Sequence, residues 1–114
     1  MQGREIKVKT VNFDSATIAG EEYDLRDGRL TVRWEPSGRY AWDASAKLAG
    51  VSRGLNQLTN GDAADVSFET KHHGTFSGKA YIETSVAVNT TGSATLLRLH
   101  GTGDLDGIEQ ISGT

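Results

Sequence analysis

Cysteine is absent from the chain, which excludes a disulfide scaffold and a cysteine-based zinc site and leaves folding independent of redox state, as suits a cytosolic origin. Long apolar runs are missing as well. No stretch approaches the ~20 apolar residues of a membrane span, and the opening MQGREIKVKTVNF has no signal-peptide core, so a soluble chain used whole is expected. Nor is there an excess of one charge: 12 Lys and Arg stand against 15 Asp and Glu, a net charge of -3. Nothing in that balance favours nucleic acid or an anionic membrane as a partner. Proline occurs once against 14 glycines, so the chain turns often and its turns need positive φ more than rigidity. The 114 residues fit a single domain, 1–114, able to bury a modest core, with no internal repeat or linker.

What is present is alternation. Ile6 and Val8 alternate with lysines before the apolar parity flips to Val11 and Phe13, which predicts a first strand with a bulge near Thr10. Ala19-Gly-Glu-Glu22 reads as a turn before a short strand around Tyr23 and Leu25, and Asp27-Gly28 as a hairpin signal leading to inward-facing Leu30, Val32 and Trp34. Pro36-Ser-Gly38 breaks that strand, and Arg39 to Trp42 restarts an extended piece. Asp43 is a good helix N-cap, and Ala44, Leu48, Val51, Leu55 and Leu58 follow at helical spacing, predicting one helix that Gly50 and Gly54 would weaken. Thr59-Asn-Gly-Asp62 ends it. Val66, Phe68 and Thr70 give another strand, and His72-His-Gly74 leads into the last part of the chain.

That last part carries the strongest pattern. In GTFSGKAYIETSVAV, residues 74–88, Phe76, Gly78, Ala80, Ile82, Thr84, Val86 and Val88 share one parity. The strand they define is about twice the usual length of 5 to 6 residues. Asn89-Thr-Thr-Gly92 is turn-rich, and the pattern resumes from Ser93 to Gly103. Placing Val88 opposite Ser93 sets Ile82 against Leu99, Thr84 against Leu97 and Val86 against Thr95 on the inner side. The outer side then pairs Glu83 with Arg98 and Tyr81 with His100. A slip of one residue would put Leu97 and Leu99 into water, so both faces specify one register. The outer face also carries Leu96, and a hairpin this long leaves edges that need covering. The expected fold is mainly β: an antiparallel β-sandwich or barrel of six or seven strands with one flanking α-helix and a long C-terminal hairpin.

Chemistry is poorly provided for. His72 and His73 are adjacent, point to opposite sides of an extended chain and have no helical His/Glu partner at a metal-binding interval. Asp104 and Asp106 lack the other ligands of a calcium loop and read as a terminal turn. Gly101-Thr-Gly103 opens no helix that could hold phosphate and reads as the twisted end of a strand. The acids Glu21, Glu22, Asp24 and Asp27 lie in turns with nothing apolar to raise a pKa. Arg29, Arg33 and Arg39 lie near Trp34, Tyr40 and Trp42, a pattern that would suit single-stranded nucleic acid, but alternation turns Trp34 inward and the arginines outward. The expectation is a non-enzyme with neither cofactor nor metal.

The run GTFSGKAYIETSVAVNTTGSATLLRLHGTGDL resembles the C-terminal half of the tail tube proteins of tailed bacteriophages. There a helix, a strand and a Gly-x-x-Tyr/Phe-Ile/Val-Thr-Ser hairpin ending in Gly-Thr-Gly-x-Leu follow in the same order. The likeness covers roughly residues 43–107 and is strongest over 74–105. It implies a subunit that assembles into stacked hexameric rings, in which hairpins of neighbouring copies join around a channel that passes DNA without sequence preference. The inter-subunit hairpin would then comprise Tyr81, Glu83, Ser85, Val86, Val88, Leu96, Arg98 and His100. The implied partners are further copies and other tail proteins, not a membrane, and the implied location is the virion tail after synthesis in the host cytoplasm. A head-decoration or tail-end ring protein, and a small β module for sugar or peptide built on Tyr40, Trp42 and Tyr81, are the competing readings.

Overall fold

The computed structural model describes residues 7–50, 53–59, 61–89 and 92–112. Ile6, Val51, Asn60 and the Thr90-Thr91 centre of the expected turn fall outside them. Six antiparallel strands form one closed barrel in the order β1-β2-β3-β6-β5-β4. In chain order these are β1 (Lys7–Ile18), β2 (Glu21–Trp34), β3 (Tyr40–Ala49), a short helix α1 (Arg53–Leu58), β4 (Ala64–Glu69), β5 (Thr75–Asn89), β6 (Gly92–Asp106) and a last turn of helix α2 (Glu109–Ser112). The mainly β antiparallel architecture expected from alternation is the one observed, with the strand count at six.

Turn chemistry explains the first hairpin. Ala19 and Gly20 both adopt positive φ, 53° and 87°, the backbone of a two-residue loop whose twist matches that of its flanking strands. Asp27-Gly28 does not turn the chain. It lies within β2, where the register with β1 shifts between Phe13 and Ser15 and that with β3 shifts between Arg26 and Arg29. Asp27 takes φ 54°, and a Cβ on Gly28 would collide with the Phe13 carbonyl and ring. The dipeptide is therefore a bulge that lets Phe13 into the core, and the segments around Tyr23 and Trp34 fuse into one long strand. The bulge expected near Thr10 is not there. Register runs unbroken from Lys7 to Phe13, with Val8 turned outward and 52% exposed.

The expected helix from Asp43 is also corrected. Residues 40–49 form β3, which pairs with β2 and, from Asp43↔His100 to Ala49↔Ala94, with β6. The segment satisfies two periods at once: Trp42, Ala44, Ala46 and Leu48 alternate with Asp43, Ser45 and Lys47, and the first three are buried. Alanine and leucine favour a helix locally, but two flanking strands that need partners outweigh that preference. Gly50, at φ 78°, ends the strand. Among the described residues of the expected helix, Arg53–Leu58 alone are helical, with Leu55 fully buried and Leu58 packed at the core margin, and α1 lies against β5.

Trp42 occupies the barrel interior, 3% exposed, edge-on to Phe68 with ring centroids 5.9 Å apart. Its indole Nε1–H donates to the Gly103 carbonyl at 3.0 Å. That carbonyl is available because β6 bulges: Ala80 pairs with Gly101 and Gly78 with Leu105, so three residues, Thr102 to Asp104, stand opposite Lys79 alone. Thr102 Oγ1 donates to the Lys79 carbonyl at 3.1 Å, and the Leu105 N–H donates to the Tyr40 hydroxyl at 2.9 Å. A Cβ on Gly101 would overlap the Trp42 ring, and one on Gly78 would sit 3.0 Å from the same ring and 2.8 Å from the Asp104 carbonyl. Gly101-Thr-Gly103-Asp-Leu105 is thus a bulged clamp around a tryptophan, not a strand fading at its end, and Asp104 and Asp106 belong to β6, ahead of the turn at Gly107.

Gly101→Ala should lower stability by about 1–3 kcal/mol, the usual range for overpacking a filled interior, measured by urea denaturation. The loss should shrink in a Trp42→Leu background, where no ring stands in the way. Equal losses in both backgrounds would mean that the ring is not the cause.

Candidate assembly site on the long hairpin

The strands β5 and β6 each run for 15 residues, roughly 50 Å at about 3.4 Å per residue, and the molecule measures 51 × 29 × 27 Å. Their register matches every pair expected from the sequence: Tyr81↔His100, Ile82↔Leu99, Glu83↔Arg98, Thr84↔Leu97, Val86↔Thr95 and Val88↔Ser93. The inner row begins buried, with Ile82, Leu97 and Leu99 at 4% or less, and Thr95 is wholly buried. Thr95 Oγ1 donates to the Gly50 carbonyl at 2.7 Å, while the Gly50 N–H donates to the Ser93 carbonyl at 3.0 Å, so the end of β3 is tied to β6. The row then leaves the core: Val86 is 47% exposed and Val88 78%.

Neighbouring strands set where cover stops. β4 has only 6 residues, and its pairing with β5 ends at Ala64↔Ala80. From Tyr81 to Asn89, β5 continues with β6 on one side and, among the described residues, no strand on the other. α1 lies against β5, and the side chains from Ser85 to Val88 are exposed. Sequence reasoning identified the long hairpin but not this one-sided opening, because it depends on the length of a strand elsewhere in the chain.

The outer face of the hairpin is polar. His100 Nε2 lies 2.8 Å from Glu83 Oε1, and Arg33 Nη1 lies 3.0 Å from Asp43 Oδ2 on the adjoining strands. The hydrogen bond from His100, aided by the positive charge of Arg98 across the strand, holds the Glu83 carboxyl below its usual range. All these groups are 45% or more exposed to water, so they tune pairing without dominating stability. Tyr81 (54% exposed) and Leu96 (37%) are the large apolar side chains on this face, and Ser85 is exposed between them in register with Leu96.

The other sequence candidates are dispersed. His72 and His73 sit in an exposed turn in which Thr70 Oγ1 accepts the His73 N–H at 3.0 Å. Among the described residues, no three of His, Asp and Glu converge as metal ligands. Trp42 and Tyr40 are engaged in the barrel interior as described, and Trp34 is half-buried with Lys7 Nζ 5.6 Å from its ring centre. A shallow groove of about 660 Å³ between β4, β5 and the β6 bulge is lined by Asp65, Ser67, Ser77, Lys79 and Thr102, and by no aromatic residue. Compared with known proteins, the chain matches no family model, no curated protein and no solved structure.

Because the folded-state pKa of Glu83 is depressed, its contribution to stability is present above the ordinary carboxylate pKa and lost as pH falls through the lowered value. The melting temperature of the parent should therefore exceed that of Glu83→Gln at pH 7, and the two should converge in acid. A difference that persists at pH 2 would exclude the ion pair as its source. EDTA should leave the melting temperature unchanged, and a marked drop would restore Asp104 and Asp106 as metal ligands.

Proposed function

We propose that the chain is a non-catalytic virion structural protein, a subunit of the tail tube kind that assembles into stacked hexameric rings around a DNA-conducting channel. The observation that supports this best is the overhang of β5 and β6, whose Val86 and Val88 are exposed and whose β5 edge has no second strand from Tyr81 onward among the described residues. A lone chain leaves the two valines to water; a neighbouring copy would cover them. The Gly-Thr-Gly-Asp-Leu ending fits the same reading, since the clamp on Trp42 anchors the base of the hairpin and leaves its tip clear of the core. The net charge of -3 also suits a channel through which DNA must pass without adhering. In this role the chain would work in the virion tail beside other tail proteins.

A head-decoration or tail-end ring protein is the second reading, and the same exposed overhang favours it, because a trimer or a single ring would also bury the tip. Electron microscopy of the purified protein separates them: tubes support the tail tube, isolated rings the tail-end role, and trimers decoration.

Ser93 turns its carbonyl to Gly50, so its partner Val88 points its N–H away from β6, and Val88→Pro removes that outward N–H at a position 78% exposed. It should give folded, soluble, assembly-defective protein, with far-UV circular dichroism of the parent and no tubes by microscopy. Normal tubes from this variant would remove the hairpin from the assembly, and loss of folding would place the tip within the subunit's own stable core.

A further inference from the structure

The outer face of β2, β3 and β6 holds a small cup whose hydrogen-bond donors are not used up within the chain. It measures about 290 Å³ and is lined by Arg33, Asp43, Ser45, Arg98 and His100. Cross-strand register brings these groups together. Asp43 pairs with His100, and Ser45 stands between Arg29 on one side and Arg98 on the other, so no carboxylate lies opposite its hydroxyl. The two carboxylates nearby are already engaged, Asp43 by Arg33 at 3.0 Å and Glu83 by His100 at 2.8 Å. Arg98 has no such tie. Its charge acts on Glu83 from a distance, but among the described residues its guanidinium makes neither a hydrogen bond nor an ion pair. The Ser45 hydroxyl, half-buried, is equally without a partner among them. Arg33 spends Nη1 on Asp43 and keeps the other N–H groups of its fork.

We propose that this cup binds a tetrahedral oxyanion, the chemistry shared by inorganic phosphate and a terminal phosphoryl group, with Arg98 and the Ser45 hydroxyl as its main donors and Arg33 beside them. A carboxylate has two oxygens, which one guanidinium fork satisfies alone. Here the donors stand on three strands, β2, β3 and β6, and approach from three directions, which suits oxygens set at the corners of a tetrahedron. Guanidinium is weakly hydrated and planar, so it exchanges water for phosphate oxygens more readily than an ammonium does. Charge sets the strength. Asp43 and Glu83 offset Arg33 and Arg98, so the attraction comes from directed hydrogen bonds more than from net charge, and the affinity is millimolar. An anion held there joins three strands on the face opposite the buried Ala44, Ala46, Leu97 and Leu99. The site lies within one chain, so it fills whether or not tubes form.

The test is a nitrogen-15 NMR titration of the full chain in which sodium phosphate replaces sodium chloride at constant ionic strength. The Ser45 and Arg98 amide signals and the Arg98 Nε–H signal should shift together along one saturable curve with a millimolar midpoint. Arg98→Gln should weaken binding roughly tenfold, and Arg98→Lys, which keeps the charge and loses the fork, roughly threefold. Ser45→Ala should weaken it as well, whereas Arg39→Gln, at an exposed arginine of the β2–β3 turn, should leave it unchanged. An unmoved Trp42 indole signal shows that each variant keeps the barrel. Phenyl phosphate separates the two sources: affinity equal to that of inorganic phosphate supports a site for terminal phosphoryl groups, and binding of inorganic phosphate alone supports a site for the free ion. Shifts that do not saturate, shifts of equal size at Arg39 and Lys71, or a folded Arg98→Gln variant that binds like the parent would each overturn the proposal. Arg98→Lys binding as tightly as the parent would overturn the assignment of Arg98 as a directed donor.

Discussion

The position of the Trp42 side chain governs the arrangement of the rest. It stands on β3, touches Phe68 of β4, lies over Gly78 of β5 and Gly101 of β6, and donates its indole proton to Gly103. Four of the six strands therefore meet at one ring. Glycine is required at positions 78 and 101 because the ring occupies the space that a Cβ would take, and the β6 bulge is required because an indole N–H buried in an apolar interior needs an acceptor. The base of the hairpin is fixed by this cluster. Its tip, more than a dozen Å along the strands, is not.

The sequence revealed elements unevenly, for physical reasons. Hairpin register was legible because two independent patterns, apolar on one face and opposite charges on the other, agree only in one alignment. β3 was not legible, because Ala44, Leu48 and their neighbours satisfy helical spacing and strand alternation together, and only the flanking strands decide between them. Asp27-Gly28 carries the backbone preference for positive φ but not the information whether that freedom makes a turn or a bulge. Phe13, on another strand, supplies it. The eight hairpin residues singled out from the sequence all lie on the paired β5 and β6. The open edge beside them was invisible, since it follows from β4 stopping after six residues.

The hairpin divides into a half inside the barrel and a half outside it. Ile82, Leu97 and Leu99 are inside, and Val86 and Val88 continue the same row outside. Such continuity carries one alternating pattern from the barrel's interior out into solvent. Polar pairs such as Glu83 with His100 line the opposite face and keep it soluble, without committing it to a partner.

The seam that closes the barrel has a kinetic meaning. β1 and β4 meet through four residue pairs, Ser15↔Glu69 to Ile18↔Val66, whose members lie about fifty residues apart in the chain. The β1–β2 and β5–β6 hairpins, by contrast, pair residues brought together by adjacent turns. Closing a long loop for a short ladder returns little enthalpy for the entropy lost, so the seam forms after the hairpins and opens before them. Amide hydrogens along β4 consequently exchange with solvent ahead of those around Trp42, and the cylinder breathes along a single line.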